Sequence, residues 1–200
     1  AHPERILDFD DDIGTNKTHE RSNTLFQRLM LTAHDHFYGS FRYYNGFIPG
    51  SNYLKDLVKS KIPDAKDDSI QIIPTCVNYT NFRQKKYDES LPLTFGWIGG
   101  NHNLNLLKGI IPAMNDLSKN VQFKLIVMAG EEVYDLGATF PVSLELYSLD
   151  RELAFLKRID IGLMPLNDDD VSRGKCGFKL LQYMGVGVPG IASAISVNNE

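Results

Sequence analysis

Cysteine is nearly absent: Cys76 and Cys176 are the only two in 200 residues. They are too few and too far apart for a zinc motif or for the disulfide framework of a small secreted domain. A reducing, cytoplasmic setting is therefore the expectation. No apolar run approaches the roughly 18 residues that a bilayer-spanning helix needs, and the first residues show no signal-peptide pattern. Membrane contact, if any, is expected to be peripheral, at the inner face, or made through the substrate. Positive charge is not in excess either. The 21 Lys and Arg against 25 Asp and Glu leave a net charge of −4, which gives no overall attraction for a nucleic-acid backbone, so no nucleic-acid partner is expected. Internal repeats and low-complexity segments are also missing. What remains is 42% hydrophobic and 23% charged, the balance of a globular chain able to bury a core.

Short apolar runs alternate with amphipathic segments along this chain. Ile6, Leu7 and Phe9 form a short strand running into the acidic turn Asp10-Asp11-Asp12. A helix is expected over 23–33, a strand over 44–49 and a helix over 52–60, with Tyr53, Leu54, Leu57 and Val58 on one face. A third strand over 70–73 is stopped by Pro74. The polar, aperiodic stretch 79–91 reads as an interdomain linker. Beyond it, strands over 93–98, 123–129, 142–147 and 159–164 interleave with helices over 104–117 and 149–158. That alternation implies an α/β fold with a parallel sheet and helices on both faces. The expected organisation is a partial α/β domain over 1–78, the linker, and a Rossmann-like domain over 92–200. With three short strands in the first part and no closing helix after the last strand, both domains are expected to be parts of a larger protein.

The last third carries the chemistry. Asp160-Ile-Gly-Leu-Met-Pro-Leu166 is a buried-strand run ended by Pro165, and open parallel sheets bind ligands beyond the carboxyl ends of their strands. After a polar loop over 167–172, Gly174-Lys-Cys-Gly-Phe-Lys179 is expected to open a helix with two glycines and two lysines in its first turn. The helix runs to Gly185 or Gly187, and a last strand covers 188–193. Free N–H groups, the positive end of a helix dipole and an ammonium meet there, the combination that a phosphate needs. Gly177 and Phe178 lie in that turn. Lys175 and Lys179 stand four apart on one helical face, with Lys179 the stronger candidate for phosphate. Gly99, Gly100 and Asn101, between an apolar strand and a helix, offer a second place where backbone approaches a diphosphate; the alternative is a plain tight turn. His102 and Asn103 read as caps of the next helix, or His102 as a side chain aimed at the site.

These segments, in this order, resemble the GT-B glycosyltransferases of family 4 over about 8–200. The carriers are Leu7-Asp-Phe-Asp-Asp-Asp12, Gly50-Ser-Asn-Tyr-Leu54, Ile73-Pro-Thr-Cys-Val77, Phe95-Gly-Trp-Ile-Gly-Gly100, the run over 160–166 and the stretch from Gly174 to Ser193. The resemblance implies two Rossmann-like domains facing a cleft, the second holding a nucleotide sugar and the first an acceptor. It implies transfer of a sugar from a UDP- or GDP-sugar to a glycan or lipid-linked saccharide acceptor, with retention of configuration, as in polysaccharide biosynthesis. Neither a metal ion nor an organic cofactor is implied. Lys179 then faces the diphosphate as the main catalytic residue. Gln182 stands where many members keep a ribose-binding glutamate, and its amide still suits a diol. The first glutamate of the family pattern is replaced by Gly174, and the usual arginine and lysine after the first donor-domain strand by Gly99-Gly-Asn-His-Asn103.

Other chemistries fit less well. An Asp-x-Asp after an apolar strand is also how metal-dependent GT-A enzymes hold a divalent ion, and how a haloacid-dehalogenase-type phosphatase opens. Both need a longer buried strand than Ile6 and Leu7 provide, and the phosphatase pattern wants Thr or Val where Asp12 stands. An acidic turn at the lip of the cleft, touching acceptor hydroxyls, is the preferred reading. His34, Asp35 and His36 lack third and fourth ligands at helical spacing. Glu131, Glu132 and Asp135 read as an exposed acidic loop, and Asp168, Asp169 and Asp170 as a solvated loop able to order over a donor. Two alternatives to a transferase stand beside this reading: a nucleotide-sugar epimerase of the same fold, and a nucleotide-binding or scaffold module without turnover.

Overall fold

The computed structural model describes residues 4–14, 36–78, 85–87, 92–130 and 135–199. The chain divides into two compact units, neither continuous in sequence. One comprises Ala1–Thr75, Asp168–Gly177 and Ile195–Glu200; the other comprises Cys76–Asn167 and Phe178–Ala194. The helix expected over 23–33 lies outside the described residues.

In the first unit, strand β1 (Ile6–Phe9) pairs in parallel with β2 (Gly46–Pro49). Helix α1 (Asn52–Lys61) follows, and its N-cap Ser51 accepts the Leu54 N–H at 3.2 Å, satisfying one of the donors that a helix start leaves unpaired. Leu54 and Val58 turn inward onto Phe9, Phe41, Phe47 and Ile70. Phe37 and Phe41 meet edge-to-face with centroids 5.2 Å apart, a geometry that the ring quadrupoles favour. The strand expected over 70–73 does not form. Gln71 and Ile73 donate their N–H groups to Phe47 and Pro49 oxygens at 3.0 and 3.2 Å, but the ladder counts as a single bridge between Phe47 and Ile70. Pro49 has no N–H with which to return the next bond.

The second unit is built on five parallel strands in the order β5-β4-β3-β6-β7: β3 (Leu93–Gly99), β4 (Phe123–Ala129), β5 (Val142–Leu146), β6 (Ile161–Met164) and β7 (Gly190–Ala192). Helices α2 (Leu104–Ser118), α3 (Leu149–Arg158) and α4 (Phe178–Gly185) connect them. Phe95, Trp97, Leu125 and Val127 pack against Leu107, Ile111 and Met114 of α2 on one face. Ile98, Ile126 and Met128 pack on the other against Phe155 and Leu156 of α3 and Tyr183 of α4. Cover on both faces explains why β3 and β4 are nearly continuous apolar runs. From β3 the chain steps outward to β4 and β5, then returns to β6 and steps the other way to β7. The boundary between β3 and β6 is thus a topological switch point, where the carboxyl ends of strands open a crevice. Within the expected linker, the described residues 85–87 are fastened to this unit. Lys85 donates its N–H to the Val186 oxygen at 2.7 Å, and its ammonium bonds the Ile159 oxygen and Asp160 Oδ1, each at 2.5 Å.

Two expectations in the last third need correction. The polar stretch 167–172 is not simply a loop, because Asp170–Arg173 forms one helical turn that Asp169 caps by accepting the Ser172 N–H at 2.7 Å. Helix α4 begins at Phe178 rather than Gly174. Gly177 has φ +70°, a left-handed conformation through which a right-handed helix cannot run. Lys175 and Lys179 therefore do not share a helical face.

Candidate functional site

The carboxyl end of β3, at the switch point, is where the second unit gathers its site. Lys179, in the first turn of α4, lays its ammonium 4.9 Å from the centroid of the Trp97 ring. A Cβ on Gly99 would lie 2.7 Å from Trp97 Cζ2 and 2.8 Å from Lys179 Nζ. The absence of a side chain at 99 is thus what lets the ammonium reach the strand end beside a buried indole. Gly100 lies under the His102 ring, where a Cβ would come within 2.7 Å of Cε1. The Asn101 side-chain oxygen reaches the Gly130 turn beyond β4. Gly99, Gly100, Asn101 and Lys179 are therefore brought together by β3, the turn after it and the start of α4. An ammonium beside half-buried backbone at this edge can neutralise an anionic group.

One turn further along α4, Gln182 is 4% exposed. Its Nε2 donates to Glu152 Oε1 at 2.6 Å. Glu152 lies in the first turn of α3, and its Oε2 accepts the Tyr147 hydroxyl at 3.0 Å. Burial, then the Glu152 hydrogen bond, raises the Tyr147 phenol above its ordinary range, so it remains a donor at neutral pH.

The remaining candidates belong to the first unit or to the surface. Phe178 is exposed at the start of α4. Gly174, Lys175 and Gly177 belong to the first unit, the first two beside its acidic turn and Gly177 beside Val197. A Cβ on Gly174 would lie 2.4 Å from Asp12 Cβ, so the position has no room for a side chain. Asp12 is 3% exposed and accepts the Tyr38 hydroxyl at 2.7 Å and the Gly14 N–H at 3.1 Å. Lys175 Nζ pairs with Asp11 Oδ2 at 3.7 Å, and Asp10 accepts the Thr75 hydroxyl at 3.1 Å. Burial pushes the Cys176 thiol above its ordinary value, which works against a nucleophilic role. His36 and Asp135 are exposed, whereas His34, Asp35, Glu131 and Glu132 lie outside the described residues. Among the described residues no helix is long and apolar enough to cross a membrane.

No protein-family model matches the chain, and no curated protein matches its sequence. Solved structures do match its fold. A mutant of S. aureus TarM in complex with fondaparinux, alpha-GlcNAc-glycerol and UDP is similar at 14% identity and a TM-score of 0.61, over 96% of this chain and 37% of that one. TarM in a second structure gives 13% identity, a TM-score of 0.58, and coverage of 96% and 36%. The apo lipopolysaccharide outer core galactosyltransferase WaaB gives 14% identity, a TM-score of 0.54, and coverage of 78% and 44%. The fold is of the GT-B type. The chain spans less than half the length of each of these proteins. Three side chains of the GT-B sheet and its helices were not singled out in the sequence: Trp97, Tyr147 and Glu152. Trp97 sits within an apolar run and reads there as core. Glu152 reads as an ordinary acid complementing a helix dipole, and its bond to Gln182 joins positions thirty residues apart.

Proposed function

We propose that this chain is the donor-binding part of a glycosyltransferase of family 4 type, which moves a sugar from a UDP- or GDP-sugar to a hydroxyl of a glycan or lipid-linked saccharide. The observation that carries the reading is the Lys179 ammonium held at Gly99, on the switch-point edge of a parallel sheet. As the bond between sugar and diphosphate breaks, negative charge grows on the leaving phosphate. Lys179, the backbone of Gly99 to Asn101 and the start of α4 at Phe178 stabilise that charge, so catalysis is mainly electrostatic. The transfer retains configuration and needs no divalent ion. Lys175 belongs to the first unit, where it pairs with Asp11. Placement in the cytoplasm, with peripheral contact to a membrane that carries the acceptor, and a role in polysaccharide biosynthesis complete the proposal.

The test is calorimetric titration of Lys179→Ala. Loss of a charge-assisted hydrogen bond is worth about 1.5–3 kcal/mol, and the loss is expected for UDP or GDP but not for the matching nucleoside. Equal losses for both would remove Lys179 from the phosphate. Gly174, with no room for a carboxylate beside Asp12, favours a second reading: a nucleotide-sugar-binding module without turnover. Slow release of UDP or GDP from a nucleotide sugar points to the transferase, and binding without release points to the module. Conversion of the donor to its epimer without acceptor would point to the epimerase.

A further inference from the structure

Glu152 is a carboxylate held by two protein donors, one on each oxygen. An ionised carboxylate offers about four lone-pair positions. Gln182 Nε2 takes one on Oε1 at 2.6 Å, and the Tyr147 hydroxyl takes one on Oε2 at 3.0 Å. Among the described residues, one position therefore remains on each oxygen. The two protein donors come from different elements, α4 and the end of β5, so they fix the plane of the carboxylate as well as its place. Because Gln182 donates to Glu152 through Nε2, its amide oxygen is, among the described residues, a third acceptor. A fixed cluster of acceptors beside a carboxylate suits a ligand that presents paired O–H donors and disfavours one that presents an anion.

Position along α4 says where that ligand group belongs. Lys179 and Gln182 stand three residues apart on the helix, neighbours whose Cβ atoms are about 5–6 Å apart. The residues that carry the ammonium and anchor the carboxylate therefore stand one helical turn apart, as the hydroxyls of a ribose stand one sugar ring from the phosphate on its 5′ carbon. We propose that Glu152 accepts from the 2′ and 3′ hydroxyls of the donor nucleotide, with Gln182 and Tyr147 as positioning residues. The carboxylate for the diol thus comes from α3, not from position 182. This rests on the reading of Lys179 as the diphosphate contact.

The experiment is titration of UDP and GDP and of their 2′,3′-dideoxy forms into the wild-type chain and into Glu152→Gln, Tyr147→Phe and Lys179→Ala. Wild type is expected to prefer the ribose form by roughly tenfold or more, as loss of hydrogen bonds to a charged group implies. Glu152→Gln loses most of that preference while its affinity for the dideoxy form stays near that of wild type. Tyr147→Phe, a change at a half-exposed side chain, lowers the preference by a smaller factor and decides the matter if Glu152→Gln does not fold. Lys179→Ala weakens both forms equally and keeps the preference. An undiminished preference in Glu152→Gln, or in Tyr147→Phe where only that variant folds, overturns the inference alone. Failure of wild type to bind any nucleotide overturns the reading of the site, and this inference with it.

Discussion

Position 99 shows how little space separates the parts of the site. Its missing side chain leaves room for an ammonium and an indole, each of which a Cβ would approach within 2.8 Å. Neither can yield freely: Trp97 is 1% exposed and packed in the sheet core, and Lys179 is tethered by the first turn of α4. Gly99→Ala must therefore push Lys179 off the ring or strain the end of β3. Overpacking of this kind typically costs about 1–3 kcal/mol. The variant should melt at lower temperature than wild type and also bind UDP or GDP more weakly. Unchanged melting and unchanged titration would mean that the ammonium rests elsewhere. A small residue here was readable in the sequence as a close backbone approach, but its reason, a neighbour eighty residues away, was not.

Elements whose pattern is local were legible, and those shaped by distant contacts were not. Between Leu93 and Arg158 the apolar runs and helical spacings place β3, α2, β4, β5 and α3 within a residue or two, since a run buried on both faces and a 3.6-residue stripe are properties of the segment itself. The third strand of the first unit failed on one missing N–H at Pro49. The start of α4 failed because the 168–177 segment packs on the acidic turn around Asp12, a contact across more than 150 residues. Glu145 on β5 and Arg158 at the end of α3 illustrate a non-local pair with a measurable signature, its two hydrogen bonds at 2.8 and 2.5 Å. The hydrogen bond from Arg158 holds the Glu145 carboxyl below its ordinary range. A carboxyl with a depressed folded-state pKa contributes stability above its unfolded pKa and loses it as pH falls through the folded value. Arg158 is about half exposed, so solvent screening limits the contribution to about 1 kcal/mol or less. Arg158→Ala should then lower urea-unfolding stability slightly at pH 7 and not at all well below the carboxylate range. A difference that persists at acid pH would assign the effect to packing of the arginine stem.

At the scale of the whole chain, a net charge of −4 opposes an incoming diphosphate, so any attraction has to be local. The second unit supplies it through one lysine at the switch point and the backbone around it, while the acidic turn lies in the first unit, with Asp10 engaged by Thr75 and Asp12 by Tyr38. If lysine and backbone neutralise the diphosphate, binding does not depend on a divalent ion. The expected result is that UDP or GDP raises the melting temperature equally with and without EDTA, and that Asp8→Asn/Asp10→Asn leaves the shift unchanged. A ligand at 100 times its dissociation constant stabilises by about 2.7 kcal/mol, and each kcal/mol moves the midpoint of a chain this size by roughly 2–4 °C, so the shift is well within reach of a thermal scan. A shift that disappears in EDTA and in the aspartate variant would transfer the diphosphate to a metal held by the acidic turn. A shift that instead disappears in Lys179→Ala, in either buffer, places the charge that holds the donor on α4.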